Sequence, residues 1–565
     1  MLMAGLFPGR LDGHEFGSTL SRSTSVIRSL VAFGYLLAQL FSGSLSVQGS
    51  PALPNPILFV TQVPIPKEVN GTVSNTFLSV VSLFSNHTAD TARAGRGGDL
   101  WLLQTNGAIL NLTRAGGYGL SGAQHGGGIA VRDPHVHWSG AKALFSMVVG
   151  APQFAGDNSL FYWQLYEITN LDTVIANTNI APQIVKVPNQ PANCNNVSPC
   201  YGTDDRIIFT SDNPPGGQWH LYPAREEYKG HPTVTGAWSL EPSSGDLRLL
   251  QHTPSGVFNP FIDSFGRLIV TRWDHLVQDA NATDDRLGRA TNGSFNFLSE
   301  AADAPTSTNT VENFPEPRNF DTAALAQLGV HGIAFNQFFP WMLPQTGGGE
   351  ELLNHVGRHE LNQTVLNSFT NDANLISFTN PAARPAFGIM SANTNYLLNF
   401  VQIAEDPLHP GDYFGVDAPD FSPFGGTHAA GQIITLSGPP TMNPTQMVVT
   451  YITPKSTAGP NGLGLFRNPL PVSDGSLLAA FTPASTLDTN IGSAAFPNPL
   501  YHFRLMTLTK KTETWTTNQF LTGGLTNPAI YWHGATLVTY TNALWELQPV
   551  EVRARPVPQG WASVT

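Results

Sequence analysis

The chain has 565 residues, only 12% of them charged, with 54 Gly, 44 Pro and a formal net charge of −12. This profile is typical of a turn-rich, mostly β protein with a real core, and it argues against a disordered chain or a helical bundle. The chain contains no run of Lys or Arg that could neutralise a phosphate backbone, so we expect no nucleic-acid partner.

The N-terminus has the order of a secretory signal. Arg22 and Arg28 precede the apolar run "LVAFGYLLAQLF" at 30–41, and small and polar residues follow it. Such a run of about 12 residues is too short for the ~20 that cross a bilayer as a permanent helix. We therefore expect residues 1–50 to be signal peptide and leader and the protein to be periplasmic or secreted. Membrane attachment is expected only if this segment stays uncleaved.

Five segments repeat one eight-residue pattern. Each starts with Asp, Ser or Asn before Pro, ends on Gly or Asp, and precedes an apolar run such as "RLIVTR". The pattern predicts an extended piece, a tight turn whose last residue takes a positive φ, and a buried strand. The five segments are "DPHVHWSG" from Asp133, "SPCYGTDD" from Ser198, "NPFIDSFG" from Asn259, "NPLPVSDG" from Asn468 and "NPAIYWHG" from Asn527.

Polar hairpins follow these runs, so one unit has four strands in roughly 60 residues, as in a propeller blade. We predict an all-β fold, a six- or seven-bladed β-propeller over 51–557, with a tail at 558–565. One or two blades without the marker are expected between Asn259 and Asn468. N-terminal strands such as "PILFVTQVPIP" are expected to complete the last blade and close the ring with the C-terminal end. The polar stretch 278–320 is interpreted as a long inserted loop.

"SPCYGTDDRIIFTS" and "NPLPVSDGSLLAAFTP" resemble the TolB-type, WD40-like (PD40-type) propeller repeat. Together with "GRLIVTRWDHLVQD", "LLNHVGRHEL", "GTHAAGQI" and "LWELQPVEVRARP", they make residues 198–557 similar to the propeller region of the hydrazine synthase alpha-subunit-like family. This resemblance implies a propeller fold. It also implies that Cys200 occupies a position that can face a metal.

The cysteines depart from that family's pattern. Covalent c-type haem needs Cys-x-x-Cys-His, but Cys194 and Cys200 are six positions apart and Tyr201 stands where the His would be. We therefore expect no c-type haem. In an oxidising compartment a local disulfide between the two cysteines is the favoured interpretation. The alternatives are two free thiols, or a Cys200 that serves a site.

The segment "TRWDHLVQD" is the first candidate for catalysis. It places Arg272, Asp274 and His275 at the end of a predicted buried strand, and such strand ends line the mouth of a propeller. An Asp beside a His can orient the imidazole for acid–base work. The alternative is an Arg–Asp pair that braces the following loop.

Metal ligands are the second candidate chemistry. His355 and His359 in "LNHVGRHEL" are spaced i and i+4, but the Glu of the zincin pattern is missing between them. They either bind a metal together with ligands from other blades, such as His428, or form a polar connection. His135 and His137 alternate on one strand and could bind Zn²⁺ or Cu²⁺ or simply be hydrogen-bonded.

A Gly- and Pro-rich segment before residue 430 also carries metal-ligand types. Its carboxylates could hold Ca²⁺ or could cap their own turns. The residues concerned are His409, Asp412, Asp417, Asp420 and His428.

Two functions follow from these patterns. The first is a binding or assembly module without haem, which takes a protein partner or a small-molecule or glycan ligand at the propeller face. The second is a metal-dependent hydrolase or lyase, with Zn²⁺ or Ca²⁺ in the channel or loop face. A propeller frame hosts both kinds of protein, so the fold does not decide between them.

Overall fold

The structure is a computed structural model that describes residues 53–64, 89–91, 94–119, 127–213, 234–253, 256–275, 336–353, 399–418, 430–442, 447–454, 464–485, 488 and 490–559. These residues all belong to the larger of two compact units of the chain, Val47–Thr565. The expected signal segment lies outside the described residues, and so does the expected inserted loop at 278–320.

The first three blades are four-stranded antiparallel sheets whose strands follow one another along the chain. Blade 1 consists of β4 (Ile129–Val136), β5 (Ala143–Val149), β6 (Gln164–Ile168) and β7 (Ile184–Lys186). Blade 2 consists of β8 (Asn196–Tyr201), β9 (Ile207–Ser211), β10 (Gly236–Glu241) and β11 (Asp246–His252). Blade 3 consists of β12 (Val257–Ile262), β13 (Leu268–His275), β14 (Asn336–Leu343) and β15 (Glu351–Leu352).

The next two blades follow the same order, and the sixth joins the two ends of the chain. Blade 4 consists of β16 (Val401–Glu405), β17 (Asp412–Asp417), β18 (Gln432–Ser437) and β19 (Val449–Tyr451). Blade 5 consists of β20 (Leu465–Pro471), β21 (Leu477–Thr482), β22 (Arg504–Lys511) and β23 (Thr514–Phe520). Blade 6 consists of β26 (Trp545–Glu551), β1 (Ile57–Gln62), β2 (Leu100–Leu103) and β3 (Ile109–Asn111).

The protein is therefore a six-bladed β-propeller, and six is one of the two predicted blade numbers. Its ring closes where β26 pairs antiparallel with β1, with Ile57 opposite Glu551 and Thr61 opposite Glu546. This pairing of the chain ends was predicted and is confirmed. It satisfies backbone groups that an open ring would leave on two exposed edges.

One predicted repeat is wrong as the start of a blade. The segment from Asn527 forms β24 (Ala529–His533), which pairs with β25 (Thr536–Tyr540) in a separate two-stranded sheet. The Asn527 amide donates to the Gly97 carbonyl at 3.1 Å, so this residue braces blade 6 from outside. The sixth inner strand is instead β26, which carries "LQPVE".

Burial across a blade explains the sequence patterns. Middle strands such as β9 and β21 are buried along their whole length because neighbouring blades cover both faces, so they appear as continuous apolar runs. The outer strand β23 contains no buried residue. The predicted turns are confirmed, since the last residue of each marked octet has a positive φ. These residues are Gly140, Asp205, Gly266, Gly475 and Gly534.

Helix is confined to two short segments of the described chain, α1 (Leu112–Ala115) and α2 (Leu171–Ala176). Neither helix in this part of the protein has the length and apolar character of a membrane-crossing segment.

Candidate functional site

The inner strand of each blade is the one that lines the central channel. These strands are β4, β8, β12, β16, β20 and β26, and each carries one bulge. At this point the pairing register shifts, and the residue concerned has a φ between 48° and 58°. Proline follows in five of the six strands, and this is tolerated because an inner strand is a sheet edge that leaves an N–H unpaired. The six bulge residues are Asp133, Ser198, Asn259, Gln402, Asn468 and Gln548.

Side chains of the bulge residues join neighbouring blades around the axis. The Gln402 Oε1 accepts from the Asn468 N–H at 2.6 Å, and the Asn468 Oδ1 accepts from the Gln548 N–H at 3.3 Å. The Gln548 Oε1 accepts from the Asp133 N–H at 2.8 Å, and the Asp133 Oδ2 accepts from the Ser198 N–H at 3.1 Å. These bonds link five consecutive blades and form the floor of the channel.

The one charged member of the floor has its charge compensated. The Asp133 Oδ2 accepts from the Arg132 Nε at 2.7 Å and from the Ser198 hydroxyl at 2.8 Å. The Arg132 guanidinium lies 5.7 Å from the centre of the Trp163 ring. Because Asp133 is already bound by protein donors, it serves blade packing.

Above this floor lies a central cavity of about 540 Å³. Its lining residues lie at the bulge of each inner strand or C-terminal to it, including the loops that follow some of these strands and the segment that follows β26. We call this segment, residues 552–559, the C-terminal strap. Much of the wall is apolar ring surface from ten prolines, which are Pro134, Pro199, Pro260, Pro407, Pro410, Pro469, Pro471, Pro549, Pro556 and Pro558.

Glu405 is the acidic group of one wall. Its Oε2 accepts from the Ser264 N–H at 2.7 Å and from the Ser264 hydroxyl at 2.9 Å, and its Oε1 accepts from the Gly411 N–H at 2.9 Å. Burial, and then the negative charge of Asp263, raises the pKa of Glu405 to about 7. Near neutral pH this carboxyl is therefore divided between its protonated and ionised forms.

Asp263 behind it is held by the protein. Its Oδ2 accepts from the Arg267 Nε at 2.7 Å and from the Tyr413 hydroxyl at 2.9 Å. The Arg267 NH2 in turn donates to the Tyr413 hydroxyl at 2.8 Å and to the Gly438 carbonyl at 3.0 Å. This buried network fixes the wall on which Glu405 stands.

Arg555 of the C-terminal strap is the basic group of the opposite wall. Its N–H donates to the Trp138 carbonyl at 2.8 Å, and its guanidinium lies 4.4 Å from the centre of the Trp138 ring. Its NH2 contacts the Val136 carbonyl at 3.1 Å and the His135 Nε2 at 3.4 Å. Burial, and then the positive charge of Arg553, lowers the pKa of Arg555 to about 10, so it stays charged at neutral pH.

A second strap arginine has a carboxylate partner. The Arg553 Nε donates to the Glu551 Oε2 at 3.1 Å. Glu551 also accepts from the Ser473 N–H at 3.1 Å and from the Ser473 hydroxyl at 2.6 Å. This repeats the Ser264–Glu405 arrangement two blades away, with the difference that Glu551 is neutralised by an adjacent cation.

The predicted catalytic residues lie in blade 3, and none of them lines the cavity. Arg272 in β13 forms an ion pair with Glu350 at 2.7 Å and stacks 4.4 Å from the centre of the Trp341 ring. The backbones of Asp274 and His275 pair with β14 at the end of β13. Arg272 thus braces its own blade, and the catalytic role of the three residues stays a prediction.

Cys200 lies within the described residues, whereas the predicted metal ligands His355, His359 and His428 lie outside them. Cys200 is buried in β8, and burial raises the pKa of its thiol. Cys194 is buried too, with a thiol pKa raised by burial to about 12. Both are free thiols, which contradicts the disulfide interpretation.

The other histidine candidates do not gather into a ligand set. His137 pairs with Asp205 at 2.7 Å, whereas the pKa of His135 is held well below its ordinary value by burial and then by Arg555. His409 is exposed and contacts Asp406 at 2.9 Å. Within the described residues, no group of three or more His, Cys, Asp or Glu side chains is arranged to hold a metal ion.

Asp412 and Asp417 stand at opposite ends of β17, and Asp420 lies outside the described residues. The Asp417 carboxylate accepts from the Tyr451 hydroxyl. The two carboxylates are at the two ends of a six-residue strand, so they do not form one ligand pair. Binding of a divalent metal stays a prediction that depends on undescribed residues.

Glu405 and Arg555 were not singled out by the sequence. The only available signal was positional: Glu405 and Glu551 each stand three residues after the bulge of their inner strand. The bulge at Gln402 is followed by Ile403 instead of proline, so that strand carried no visible marker.

No model of a known protein family and no curated protein sequence matches the chain. Among solved structures, the chain is similar to the hydrazine synthase of Kuenenia stuttgartiensis, at 12% identity and a TM-score of 0.44, over 92% of this chain and 49% of that one. It thus spans about half the length of that hydrazine synthase chain.

Two further similarities are to a thermostable family-43 glycoside hydrolase and to the oligogalacturonate lyase of Vibrio parahaemolyticus. The first has 11% identity and a TM-score of 0.30 over 71% of this chain and 97% of that one. The second has 9% identity and a TM-score of 0.32 over 87% and 98%. At these identities the similarities concern the fold alone.

Proposed function

We propose that this propeller is a binding module whose ligand site is the central cavity between the bulge floor and the C-terminal strap. The observation that carries the proposal is the cavity itself, about 540 Å³ lined by residues of all six blades. Small-molecule sites in proteins are typically concave, of ~300–1,000 Å³, mostly apolar, with a few convergent polar groups. The proline walls with Glu405 and Arg555 match that description.

The proposal also covers the type of propeller and the place where the protein acts. We infer a TolB-type propeller similar to hydrazine synthase alpha-subunit-like proteins, acting after export and without haem. The support is the polar residue followed by proline in five of six inner strands. Export has its support in the order of basic, apolar and small residues at the N-terminus. N-terminal sequencing of protein recovered outside the cytoplasm tests it, and an intact residue 1 on such protein would contradict cleavage.

A cavity-filling variant tests the binding function. Ala404 lines the cavity in β16, so Ala404→Phe would occupy space that a ligand needs. Thermal unfolding is followed with a panel of monosaccharides, amino acids, nucleosides and organic acids at millimolar concentration. We expect at least one class to raise the Tm of the wild type and to leave that of Ala404→Phe unchanged.

The matched control is Ala155→Phe, which adds the same ring to an exposed loop. It should respond to ligands as the wild type does. Equal ligand-induced Tm shifts in Ala404→Phe and the wild type, or no shift with any class in the wild type, would refute the cavity as the binding site. Far-UV circular dichroism verifies that both variants keep the β fold.

A further inference from the structure

We propose that the ligand of the central cavity is a small organic carboxylate, held through its carboxylate group by the guanidinium of Arg555. This rests on the proposed binding function and names the chemistry that the site would select. The proposal depends on how the charges of the cavity are already paired.

The acidic groups of the cavity have donors from the protein. Asp133 is bound by Arg132, Asp263 by Arg267, and Glu551 by Arg553. Glu405 receives two backbone N–H groups and one hydroxyl. A cationic ligand group would have to compete with these contacts, so the acidic groups do not call for one.

Arg555 is the exception among the cations. Within the described residues, no carboxylate lies in ion-pair distance of its guanidinium, and its protein contacts are the Val136 carbonyl, the His135 Nε2 and the Trp138 ring. Its side-chain hydrogen bonds use NH2, and the atoms Nε and NH1 have none among these residues. A half-buried cation without a counter-ion is costly, and an anion in the cavity would relieve that cost.

The environment of Arg555 favours a planar anion. Stacking on Trp138 orients the guanidinium plane, and a guanidinium fork binds a carboxylate through two parallel N–H···O bonds. The neighbouring His135 does not compete for the anion, because its Nε2 accepts from Arg555. Arg555 can only donate to the His135 Nε2, so the proton of the neutral imidazole lies on Nδ1, a buried atom without a hydrogen-bond partner among the described residues.

The rest of the cavity favours an organic body with a single negative charge. The proline rings offer apolar faces that an inorganic anion would not use. Glu405 contributes negative charge that Arg555 already feels across the cavity, and a multiply charged phosphate would be repelled more strongly than a monocarboxylate. One uncompensated guanidinium therefore matches one carboxylate.

The experiment compares carboxylates with their neutral amides by isothermal titration calorimetry at pH 6.5 on the full chain. The probes are benzoate against benzamide, pyruvate against pyruvamide, and sodium sulfate as an inorganic anion. We expect one carboxylate to bind the wild type at least roughly tenfold more tightly than its amide and than sulfate, the scale for loss of one buried charge-assisted pair.

Variants then locate the contact. Arg555→Gln should weaken carboxylate binding roughly tenfold to a hundredfold, and Arg555→Lys should retain part of it because the charge stays while the fork is lost. Arg248→Gln is the matched control, since Arg248 lies outside the cavity and already has Asp246 as its partner, and it should change binding less than about threefold. Thermal unfolding verifies that each variant folds.

Three results would overturn the proposal: an amide or sulfate that binds as tightly as every carboxylate, an Arg555→Gln variant that binds carboxylate like the wild type, or an Arg248→Gln variant that loses binding equally. These results differ from failure of the binding function. If neutral sugars or nucleosides bind in a manner that Ala404→Phe abolishes while carboxylates do not bind, the cavity is a ligand site and only the carboxylate assignment fails.

Discussion

Replacing Glu405 by Gln should make the protein more stable at alkaline pH. The Glu405 carboxyl stands in the cavity wall and accepts from Ser264 and Gly411, and among the described residues no arginine pairs with it as Arg553 pairs with Glu551. Its pKa rises from an ordinary 4.5 to about 7, first through burial. The folded protein therefore holds a proton here that the unfolded chain releases.

The sign and size of the effect follow from this difference. Between pH 4.5 and 7 the folded state binds more protons than the unfolded state, so stability falls as the pH rises through that window. At ~1.4 kcal/mol per pH unit, a pKa moved from 4.5 to about 7 corresponds to ~3 kcal/mol. Because the side chain is half-buried and water screens part of its charge, we expect about 2 kcal/mol.

The assay is urea unfolding followed by tryptophan fluorescence at pH 4 and pH 8.5. Gln resembles the protonated carboxyl in shape, but its NH2 group cannot accept one of the two backbone N–H groups that Glu405 binds, so Glu405→Gln should be less stable than the wild type by ~1 kcal/mol at pH 4. Between pH 4 and pH 8.5 the stability of the variant relative to the wild type should rise by about 2 kcal/mol, the effect of the raised Glu405 pKa after solvent screening. Taking the difference between variant and wild type removes the contributions of other titrating groups.

Glu551→Gln is the matched control for that experiment. Glu551 accepts from Ser473 as Glu405 does from Ser264, but it also neutralises Arg553. Its replacement should lower stability at pH 8.5 by ~1–2 kcal/mol, since it leaves an arginine without its charged partner. A Glu405→Gln variant whose stability relative to the wild type is the same at pH 8.5 and pH 4 would refute the raised pKa of Glu405.

Three further outcomes test the ring. Gly98→Ala should lower the unfolding free energy by ~1–3 kcal/mol, because its Cβ would lie 2.2 Å from a carbonyl oxygen of β1. Gly523→Ala is the control, because the space around Gly523 is open. An equal loss of stability in both variants would contradict the predicted clash at Gly98. Cys194 and Cys200 should resist thiol labelling in the native protein and react only in denaturant, as mass spectrometry would report; rapid native labelling would contradict their burial. A chain that stops before Trp545 lacks β26 and should aggregate through the exposed edge of β1, and a soluble monomer in size-exclusion chromatography would disprove the role of that closure.

Much of the fold was predictable because propeller strands are local hairpins. The turn at Gly266 and the strand that follows it depend on residues within a short segment, so their sequence signal survives. The marker at Asn527 misled because a polar residue before proline defines a turn and a hairpin but not which sheet the hairpin joins. Blade 4, whose inner strand contains Gln402, was expected only as a blade without the marker, because Ile403 replaces the proline.

The sequence by itself determined the repeat, the all-β class, the turns and the pairing of the two chain ends, since these depend on alternating burial and on local backbone preference. The tertiary structure alone decided that there are six blades and that their bulges form one floor. It also brought Arg555 to His135, 420 positions apart in the chain, and set both across a cavity from Glu405. Such a site is assembled by closing the ring, so none of its residues carries a local pattern that reveals its neighbours.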